Sequence, residues 1–277
     1  MTARRVLPTL AVVWLGLLLV APVVMVVVRT FSSGVGPVVT ALTTPAAVHA
    51  TLLSLLLAAI AVPVNTVFGV VCAVVLVRFR PPGRALIAAA VDLPFAVSPV
   101  VLGLALFALY GRAGPLGPVL SSHGIDVIFA LPGMVLATVF VSLPFVVSEV
   151  VPVLTEIGTD AEEAAVVLGA SGWQTFARIT LPAIRWALVY GVVLTTARAL
   201  GEFGAVAIVS GNLAGSTQTL PLYVEDRFTN FDLTGAYAAG TLLALIAVAV
   251  LVTLTRLGRA ARPGPRTAPP RTLQEQP

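Results

Sequence analysis

The sequence predicts an all-α, polytopic membrane protein with six transmembrane helices, on the basis of its composition, its apolar runs and its arginines. Hydrophobic residues make up 58% of the 277 residues, charged residues make up 10%, and the mean hydropathy is +1.03. Soluble domains average about 25% charged residues, so this chain has too little charge to cover a globular surface in water. Its apolar surface is expected to face lipid, and its length fits one membrane domain.

Six apolar runs are long enough to cross a bilayer core, which is about 30 Å thick and requires roughly 20 apolar residues per helix. They cover about residues 6–28, 51–77, 85–110, 127–150, 184–210 and 233–254. The first run follows Arg4 and Arg5, as a signal peptide would. It is longer than a typical signal-peptide core, and no small-x-small cleavage pattern follows it, so a retained helix is favoured over a cleaved signal.

The third run contains Pro94 and Pro99, and both lie close to Asp92. Proline removes a backbone donor and bends a helix, which is common in membrane helices. The two prolines therefore predict either a simple bend or a gate, and the sequence leaves both interpretations open.

The arginines predict the orientation of the helices, because cytoplasmic segments are enriched in Lys and Arg and this chain has no Lys. With the N-terminus inside, six spans return the C-terminus to the same side, and twelve arginines lie inside against three outside. The inside set is Arg4, Arg5, Arg78, Arg80, Arg84, Arg178, Arg185, Arg256, Arg259, Arg262, Arg266 and Arg271. The outside set is Arg29, Arg112 and Arg227. We therefore expect both termini in the cytoplasm, and the arginines form no single patch that would predict nucleic-acid binding.

The longest connection on the cytoplasmic side, residues 151–182, is predicted to contain two short helices. Thr159 and Glu162 have the spacing of a capping box at the start of the first helix, and Gly169 can supply the left-handed residue that ends it. Ser171 and Gln174 have capping-box spacing at the start of the second.

The first of these helices is either part of a simple connector or a docking surface. Ala164 and Ala165 are small enough to let another surface approach closely, and Glu163 beside them offers a charge to a basic partner. Pro182 marks the predicted entry to the fifth span.

This connection resembles the EAA loop of the permease subunits of ABC importers, and we call residues 151–182 the EAA loop. Three residues separate the Glu-Ala-Ala triplet from the glycine, and nine separate the glycine from the isoleucine, as in that family. The matching residues are Glu163, Ala164, Ala165, Gly169, Ile179, Leu181 and Pro182.

The resemblance implies the type I importer fold and a mechanical role for the loop. Its first helix would dock on an ABC ATPase dimer, with Glu163 pairing with a basic residue and Gly169 making the bend. The chain has no G-x-x-x-x-G-K-[ST] motif, so it lacks the phosphate-binding loop of an ATPase. It is expected to be a transport subunit rather than an enzyme, with no cofactor and no metal site.

A longer resemblance, over about residues 50–255, is to the sulfate/thiosulfate permeases and, within them, to the W-type subunit. The matching segments are residues 92–101, 172–176, 186–191, 197–205, 209–212 and 218–225. The family implies that the chain lies in the cytoplasmic membrane. It also implies four partners: an ATPase dimer, a homologous T-type permease subunit, an extracytoplasmic sulfate-binding protein and the lipid bilayer. We also expect three regions: a first helix and external loop (1–47), a transport domain (48–256) and, from its Pro- and Arg-rich composition, a disordered cytoplasmic tail (257–277).

Arg198 and Glu202 lie four residues apart within the fifth predicted span. Charges in a bilayer cost several kcal/mol, so the two are expected to pair on one helix face. The pair either locks helix packing or lines a path along which Arg198 would favour an oxyanion. Gly201 and Gly204 beside it would permit close packing of helices.

Two alternatives to sulfate import remain at this point. Molybdate and tungstate are also tetrahedral dianions, and their permeases resemble this chain in the 197–205 segment. An ion-coupled secondary transporter would need buried ionisable residues, for which Arg198, Glu202, Asp92 and Glu149 are the candidates, and it would leave the EAA loop unexplained.

Overall fold

The computed structural model of the chain describes residues 9–10, 12–79 and 81–260, none of which forms a β-strand. In chain order the helices are α1 (Val12–Phe31), α2 (Val35–Leu42), α3 (Pro45–Phe79), α4 (Arg84–Ala96), α5 (Pro99–Tyr110), α6 (Gly117–Ser121), α7 (Leu131–Ile157), α8 (Asp160–Val167), α9 (Gly172–Leu200), α10 (Gly204–Ser210), α11 (Leu220–Thr229) and α12 (Leu233–Ala260). Helices α1, α3 and α9 each include one π-helical turn, and α7 is interrupted by a turn at Leu143.

Six membrane crossings fit these helices, as the sequence predicts. Helices α1, α3, α7, α9 and α12 are each long and apolar enough to span a bilayer, and the bent pair of α4 and α5 makes a sixth crossing if it is counted as one span. The ends of the helices differ from the predicted runs by several residues. The start of the first run, residues 6–8, lies outside the described residues.

The third predicted span, 85–110, is wrong as a single helix, because the axes of α4 and α5 differ by 111°. The break lies at Val97 and Ser98, whose backbone ψ angles are 134° and 135° respectively, outside the helical range. Pro99 explains it, because proline disfavours the helical region for the residue before it. Pro94, in contrast, lies inside α4 without ending the helix.

The fifth predicted span, 184–210, is also wrong in its limits. Helix α9 already begins at Gly172 and ends at Leu200, and α10 follows after a short break. At this break the Ala205 backbone N–H donates to Glu202 Oε1 at 2.9 Å, so Glu202 satisfies one of the free donors at the start of α10.

The core lies along α3 and α7, which contact other helices throughout their length. At the end of the bundle near α8, which we call the loop end, these two helices pack against Ile184 and Ala187 of α9. Towards the other end, which we call the far end, they pack against α5 and α10. The far end also includes α11, a helix that the sequence analysis missed; its Leu220 N–H donates to Ser54 Oγ of α3 at 2.8 Å.

Helices α3, α7 and α9 cross closely at Val146. A Cβ atom at Gly69 of α3 would lie 2.6 Å from the Val146 Cβ, and one at Gly191 of α9 would lie 2.9 Å from the Val146 Cα. Both distances are too short for any side chain, so the two glycines are needed for this crossing. The crossing fixes the relative positions of α3, α7 and α9, whose ends meet at the EAA loop.

Helix α1 lies at the periphery of the bundle, where Thr30 is its buried residue. Thr30 Oγ1 lies 2.7 Å from Thr241 Oγ1 of α12. The predicted boundary between residues 47 and 48 falls in the first turn of α3. Helix α12 continues to Ala260, so the first residues of the predicted disordered tail 257–277 are helical; residues 261–277 lie outside the described residues.

Candidate functional site

The first helix of the EAA loop forms where the sequence predicts it, as α8, but the predicted capping box at its start is wrong. Thr159 has a backbone φ of −112° and makes no side-chain cap. Its hydroxyl donates instead to Glu163 Oε1 at 2.6 Å. The first turn of α8 carries Asp160, Glu162 and Glu163, which suits the positive end of a helix dipole.

The turn after α8 confirms two other sequence predictions. Gly169 has a φ of +86°, the left-handed conformation that glycine adopts at low cost. The Gln174 N–H donates to Ser171 Oγ at 3.3 Å, and the Ser171 N–H donates to Gln174 Oε1 at 2.9 Å. This reciprocal pair is the predicted capping box, and it fixes the start of α9.

The second short helix of the loop is not separate, because α9 runs without a break from Gly172 to Leu200. Pro182 therefore lies inside a helix rather than at its start. The residues before it form a π-helical turn, Phe176–Thr180, in which the Leu181 N–H donates to the Phe176 carbonyl oxygen. A π turn shifts the register of the backbone hydrogen bonds, and here the shift comes directly before the residue that has no N–H to donate.

The residues of the EAA pattern divide into an outer and an inner group. Glu163 and Ala164 are exposed and Ala165 is half-buried on α8, while Leu181 packs against the core at the loop end. Ile179 is half-buried and Pro182 is exposed. The outer group, which consists of Glu163, Ala164 and Ala165 on α8, is therefore available to another protein. The inner group, which consists of Ile179, Leu181 and Pro182 on α9, ties the loop to the bundle.

An apolar surface adjoins the outer group. Val167 and Leu168 have 87% and 88% of their surface exposed, and Trp173 has 74%. Large exposed apolar side chains grouped in this way mark sites of protein or membrane contact. We call Val166, Val167, Leu168 and Trp173 the apolar rim.

Beneath the rim lies a cavity of about 570 Å³ that Arg78, Glu162 and Thr180 help to line. Arg78 Nε lies 2.8 Å from Glu162 Oε2, and both side chains are largely buried, at 12% and 18% exposure. Thr180 Oγ1 donates to Glu162 Oε1 at 2.7 Å. Sequence reasoning used Arg78 only as an orientation signal and missed this cluster, because three separate segments of the chain supply it.

The predicted ion pair between Arg198 and Glu202 forms, with Arg198 Nη2 at 2.7 Å from Glu202 Oε2. The Glu202 side chain is 2% exposed and that of Arg198 is 28% exposed. The adjacent Ala199 and Leu200 pack with Ala58 and Val62, near the middle of α3. The pair therefore lies near mid-depth in the bundle, with the arginine on the open side.

The two glycines near this pair have different surroundings. A Cβ atom at Gly204 would lie 3.1 Å from the Pro99 Cβ, so α10 packs closely on the start of α5. A Cβ atom at Gly201 would meet only the carbonyl oxygen of Ala197, at 3.4 Å. The close packing expected at Gly201 is therefore not made by the described residues of this chain.

Comparison with protein families places residues 65–262 in the family "Binding-protein-dependent transport system inner membrane component". A "Sulfate transport system permease protein CysW" of Synechococcus elongatus is 51% identical over 257 residues, which cover 91% of this chain and 90% of the relative. The protein of the same name from Escherichia coli (strain K12) is 50% identical over 234 residues, covering 84% and 80%. The Escherichia coli (strain K12) "Sulfate transport system permease protein CysT" is 38% identical, covering 92% and 95%.

Solved structures support the fold. A bacterial ABC transporter involved in the import of alginate matches with a TM-score of 0.79 at 19% identity, covering 94% of this chain and 95% of the other. A second structure, the bacterial alginate ABC transporter in complex with an alginate pentasaccharide-bound periplasmic protein, matches with a TM-score of 0.77 at 18% identity. The chain is thus a multi-pass membrane protein that belongs to the binding-protein-dependent transport system inner membrane components and, within them, to the sulfate transport system permeases of the CysW type.

Proposed function

We propose that this chain is a permease subunit of an ATP-driven importer that moves sulfate or thiosulfate across the cytoplasmic membrane. The observation that carries the proposal is the identity of about 50% to permeases named for sulfate transport, over 84% or more of this chain. The chain contributes no ATPase site of its own, so ATP hydrolysis belongs to a separate subunit.

The orientation follows from the arginines of the described residues. Arg78, Arg84 and Arg178 lie at the loop end, at or near the ends of helices α3, α4 and α9, and Arg185 follows Ile184, which packs in the core at the same end. Positive residues favour the cytoplasmic side, so the loop end faces the cytoplasm and both termini lie there. This is also the side on which an ATPase driven by cellular ATP would bind.

Within the EAA loop, helix α8 and the apolar rim are the proposed contact with an ABC ATPase dimer. Glu163 and Ala164 are exposed on α8, next to the apolar rim. An ATPase cleft with a basic residue opposite Glu163 and an apolar wall against Val167 and Leu168 would complement this surface. Gly169 would set the angle of α8, and Ile179, Leu181 and Pro182 would join the contact to the bundle through α9.

The Arg198–Glu202 pair is the proposed element of the translocation path. Arg198 is the more exposed partner, and it lies near mid-depth. A dianion crossing the membrane needs a positive charge on its path, while Glu202 would prevent tight trapping. Gly204 keeps α10 close to α5, and Gly201 is exposed within this chain.

Three protein partners complete the proposed importer: an ATPase dimer, a homologous T-type permease subunit and an extracytoplasmic sulfate-binding protein. The similarity to a CysT permease supports a related second subunit. A solved importer of the same fold contains a periplasmic protein, which supports a binding protein at the far end. Residues 48–256 would form the transport domain, and residues 1–47 would lie at its edge.

Uptake of labelled sulfate by a bacterial strain that lacks its own sulfate permeases tests the proposal. The strain would express this chain with its partner subunits, and unlabelled molybdate would be the competitor. We expect uptake that depends on this chain, falls when cellular ATP is depleted, and is inhibited more strongly by sulfate than by molybdate. Stronger inhibition by molybdate would assign the chain to molybdate or tungstate import. Uptake that survives ATP depletion but collapses with an uncoupler would indicate an ion-coupled carrier.

A further inference from the structure

Arg78 connects three segments of the chain at the loop end. Its Nη1 donates to the Leu154 carbonyl oxygen at 3.0 Å, and its Nη2 donates to the Gly158 carbonyl oxygen at 2.8 Å. Its Nη2 also donates to Glu162 Oε1 at 3.1 Å, while its Nε lies 2.8 Å from Glu162 Oε2. One guanidinium at the end of α3 thus holds the end of α7 and the first turn of α8.

The contacts of Arg78 are stronger than ordinary surface hydrogen bonds, because they involve helix-end carbonyl groups and a shielded carboxylate. The last carbonyl groups of a helix have no partner within the helix, and a cation is favoured there. Glu162 receives one charge-assisted hydrogen bond from Nη2 and lies in close ionic contact with Nε, and charge-assisted hydrogen bonds are stronger than neutral ones. Because the two side chains are only 12% and 18% exposed, water screens the pair less than it would screen a surface pair.

Glu162 extends this connection to α9. Its Oε1 accepts a hydrogen bond from Thr180 Oγ1 at 2.7 Å, and Thr180 is 4% exposed. Thr180 is the last residue of the π turn that precedes Pro182. The carboxylate of Glu162 therefore joins α8 to both α3 and α9.

Apart from these contacts, α8 is weakly attached. None of its residues is buried. The glycines on either side of it, Gly158 and Gly169, have φ angles of +65° and +86°, and glycine permits such backbone conformations at little cost. A helix with no buried residue and a glycine at each end would move independently of the bundle unless side chains held it.

We propose that Arg78, Glu162 and Thr180 are positioning residues that make α8 move as one body with the ends of α3, α7 and α9. A displacement that an ATPase imposes on α8 is then passed to three membrane helices rather than absorbed at Gly158 and Gly169. This inference rests on the proposed coupling role of the EAA loop. It adds that the coupling depends on a buried cluster that does not itself face the ATPase.

The test uses the complete transporter, with its partner permease, its ATPase and its binding protein, reconstituted in proteoliposomes. Labelled sulfate uptake and ATP hydrolysis are measured on the same vesicles, and their ratio is the readout. The variants are Glu162→Gln and Thr180→Val, which preserve side-chain size. The matched controls are Glu156→Gln and Thr155→Val, both of them exposed residues in the last turns of α7.

We expect Glu162→Gln to lower the sulfate transported per ATP at least about fivefold, the lower end of typical coupling between sites, and Thr180→Val to lower it less. Both controls should match the unmodified transporter. Arg78→Gln should also lower the ratio, and Arg78→Lys should restore part of it, since lysine returns the charge without the planar set of donors that reaches Leu154, Gly158 and Glu162 together.

The ratio separates a positioning role from a merely structural one. A residue needed only for folding would reduce the amount of assembled complex but leave the ratio of the remaining complexes unchanged, and that result in all the variants would overturn the inference. If the unmodified transporter itself shows no ATP-driven uptake, the proposed function fails. If it is active and Glu162→Gln keeps its ratio, only the present inference fails.

Discussion

At the scale of single residues, Glu162 and Glu163 are neighbours with different surroundings. The carboxylate of Glu162 is held by Arg78 and Thr180. That of Glu163 is exposed and accepts a hydrogen bond from the hydroxyl of Thr159. The sequence predicted a capping box between Thr159 and Glu162, but a shielded, charge-assisted contact with arginine is stronger than a neutral cap. Local spacing could not reveal this contact, because Arg78 lies in another segment.

Removing the exposed carboxylate should weaken coupling without weakening the fold. We expect Glu163→Ala to reduce both the amount of ATPase that co-purifies with the chain and the rate of sulfate uptake. Its thermal unfolding midpoint should stay the same, because surface substitutions away from special features have small effects. Glu156→Ala, which removes an exposed carboxylate shortly before Gly158, is the control. Normal ATPase recovery and uptake with Glu163→Ala would exclude a coupling role for Glu163.

The Arg198–Glu202 pair allows packing and transport to be separated. Removing one partner of a buried ion pair typically costs roughly 3–5 kcal/mol, whereas replacing both is often nearly neutral. We therefore expect Arg198→Met alone to lower the thermal stability of the detergent-solubilised chain. Arg198→Met together with Glu202→Gln should restore it, since the amide oxygen that the second substitution introduces can still accept from the Ala205 N–H.

Sulfate uptake by the double variant then decides the role of Arg198. If Arg198 lies on the path, the double variant is stable but takes up sulfate poorly. If the pair only locks the helices together, recovery of stability brings recovery of uptake.

At the scale of helices, the sequence located the apolar runs well and their interruptions poorly. Four of the predicted spans correspond to single long helices, because hydrophobic length is a property of each segment alone. Pro94 and Pro99 looked equivalent in the sequence, yet only Pro99 coincides with a break. At the break after Leu200, Glu202 accepts from the Ala205 N–H at the start of α10, and the first residue of α11, Leu220, donates to the distant Ser54. Hydrophobic periodicity encodes neither contact.

The crossing of α3, α7 and α9 gives a prediction at this scale. Gly191→Ala would place a Cβ atom 2.9 Å from the Val146 Cα, and because that atom belongs to the backbone, no side-chain rotation can relieve the clash. Overpacking of this kind typically costs about 1–3 kcal/mol. We expect a lower thermal unfolding midpoint in detergent and a lower yield of assembled complex.

Gly240→Ala in α12 is the matched control, because nothing lies within 4 Å of a Cβ atom built there. Alanine is the better helix former, so this variant should be at least as stable as the unmodified chain. Equal stability of the two variants would contradict the close crossing at Val146.

At the scale of the whole molecule, the all-α class, the five or six apolar spans and the importer family were all predictable from the sequence. Composition predicted the membrane, and the spacing of Glu163, Gly169 and Ile179 indicated the family. The cluster of Arg78, Glu162 and Thr180 was not predictable, since the fold itself brings α3, α8 and α9 together. The division of the EAA loop into an outer and an inner group likewise required the three-dimensional structure.

The orientation of the whole chain can be checked by cysteine labelling. Cys72 is the one cysteine of the chain and is buried, so it would first be replaced by alanine. Ala161→Cys lies on α8 and Ala113→Cys lies after α5, both at exposed positions. We expect a membrane-impermeant maleimide to label position 113 in intact spheroplasts and position 161 only after permeabilisation. The reverse pattern would place the EAA loop outside and remove it from the reach of a cytoplasmic ATPase.

The most direct test of the central claim is sulfate accumulation in proteoliposomes that contain this chain, its partner permease and the ATPase. The binding protein and labelled sulfate are supplied on the side of the far end, and ATP is supplied on the side of the loop end. We expect sulfate to accumulate only when ATP, the binding protein and this chain are all present, and not with a non-hydrolysable ATP analogue. Accumulation driven by an imposed ion gradient without ATP, or ATP-driven accumulation without this chain, would contradict the account.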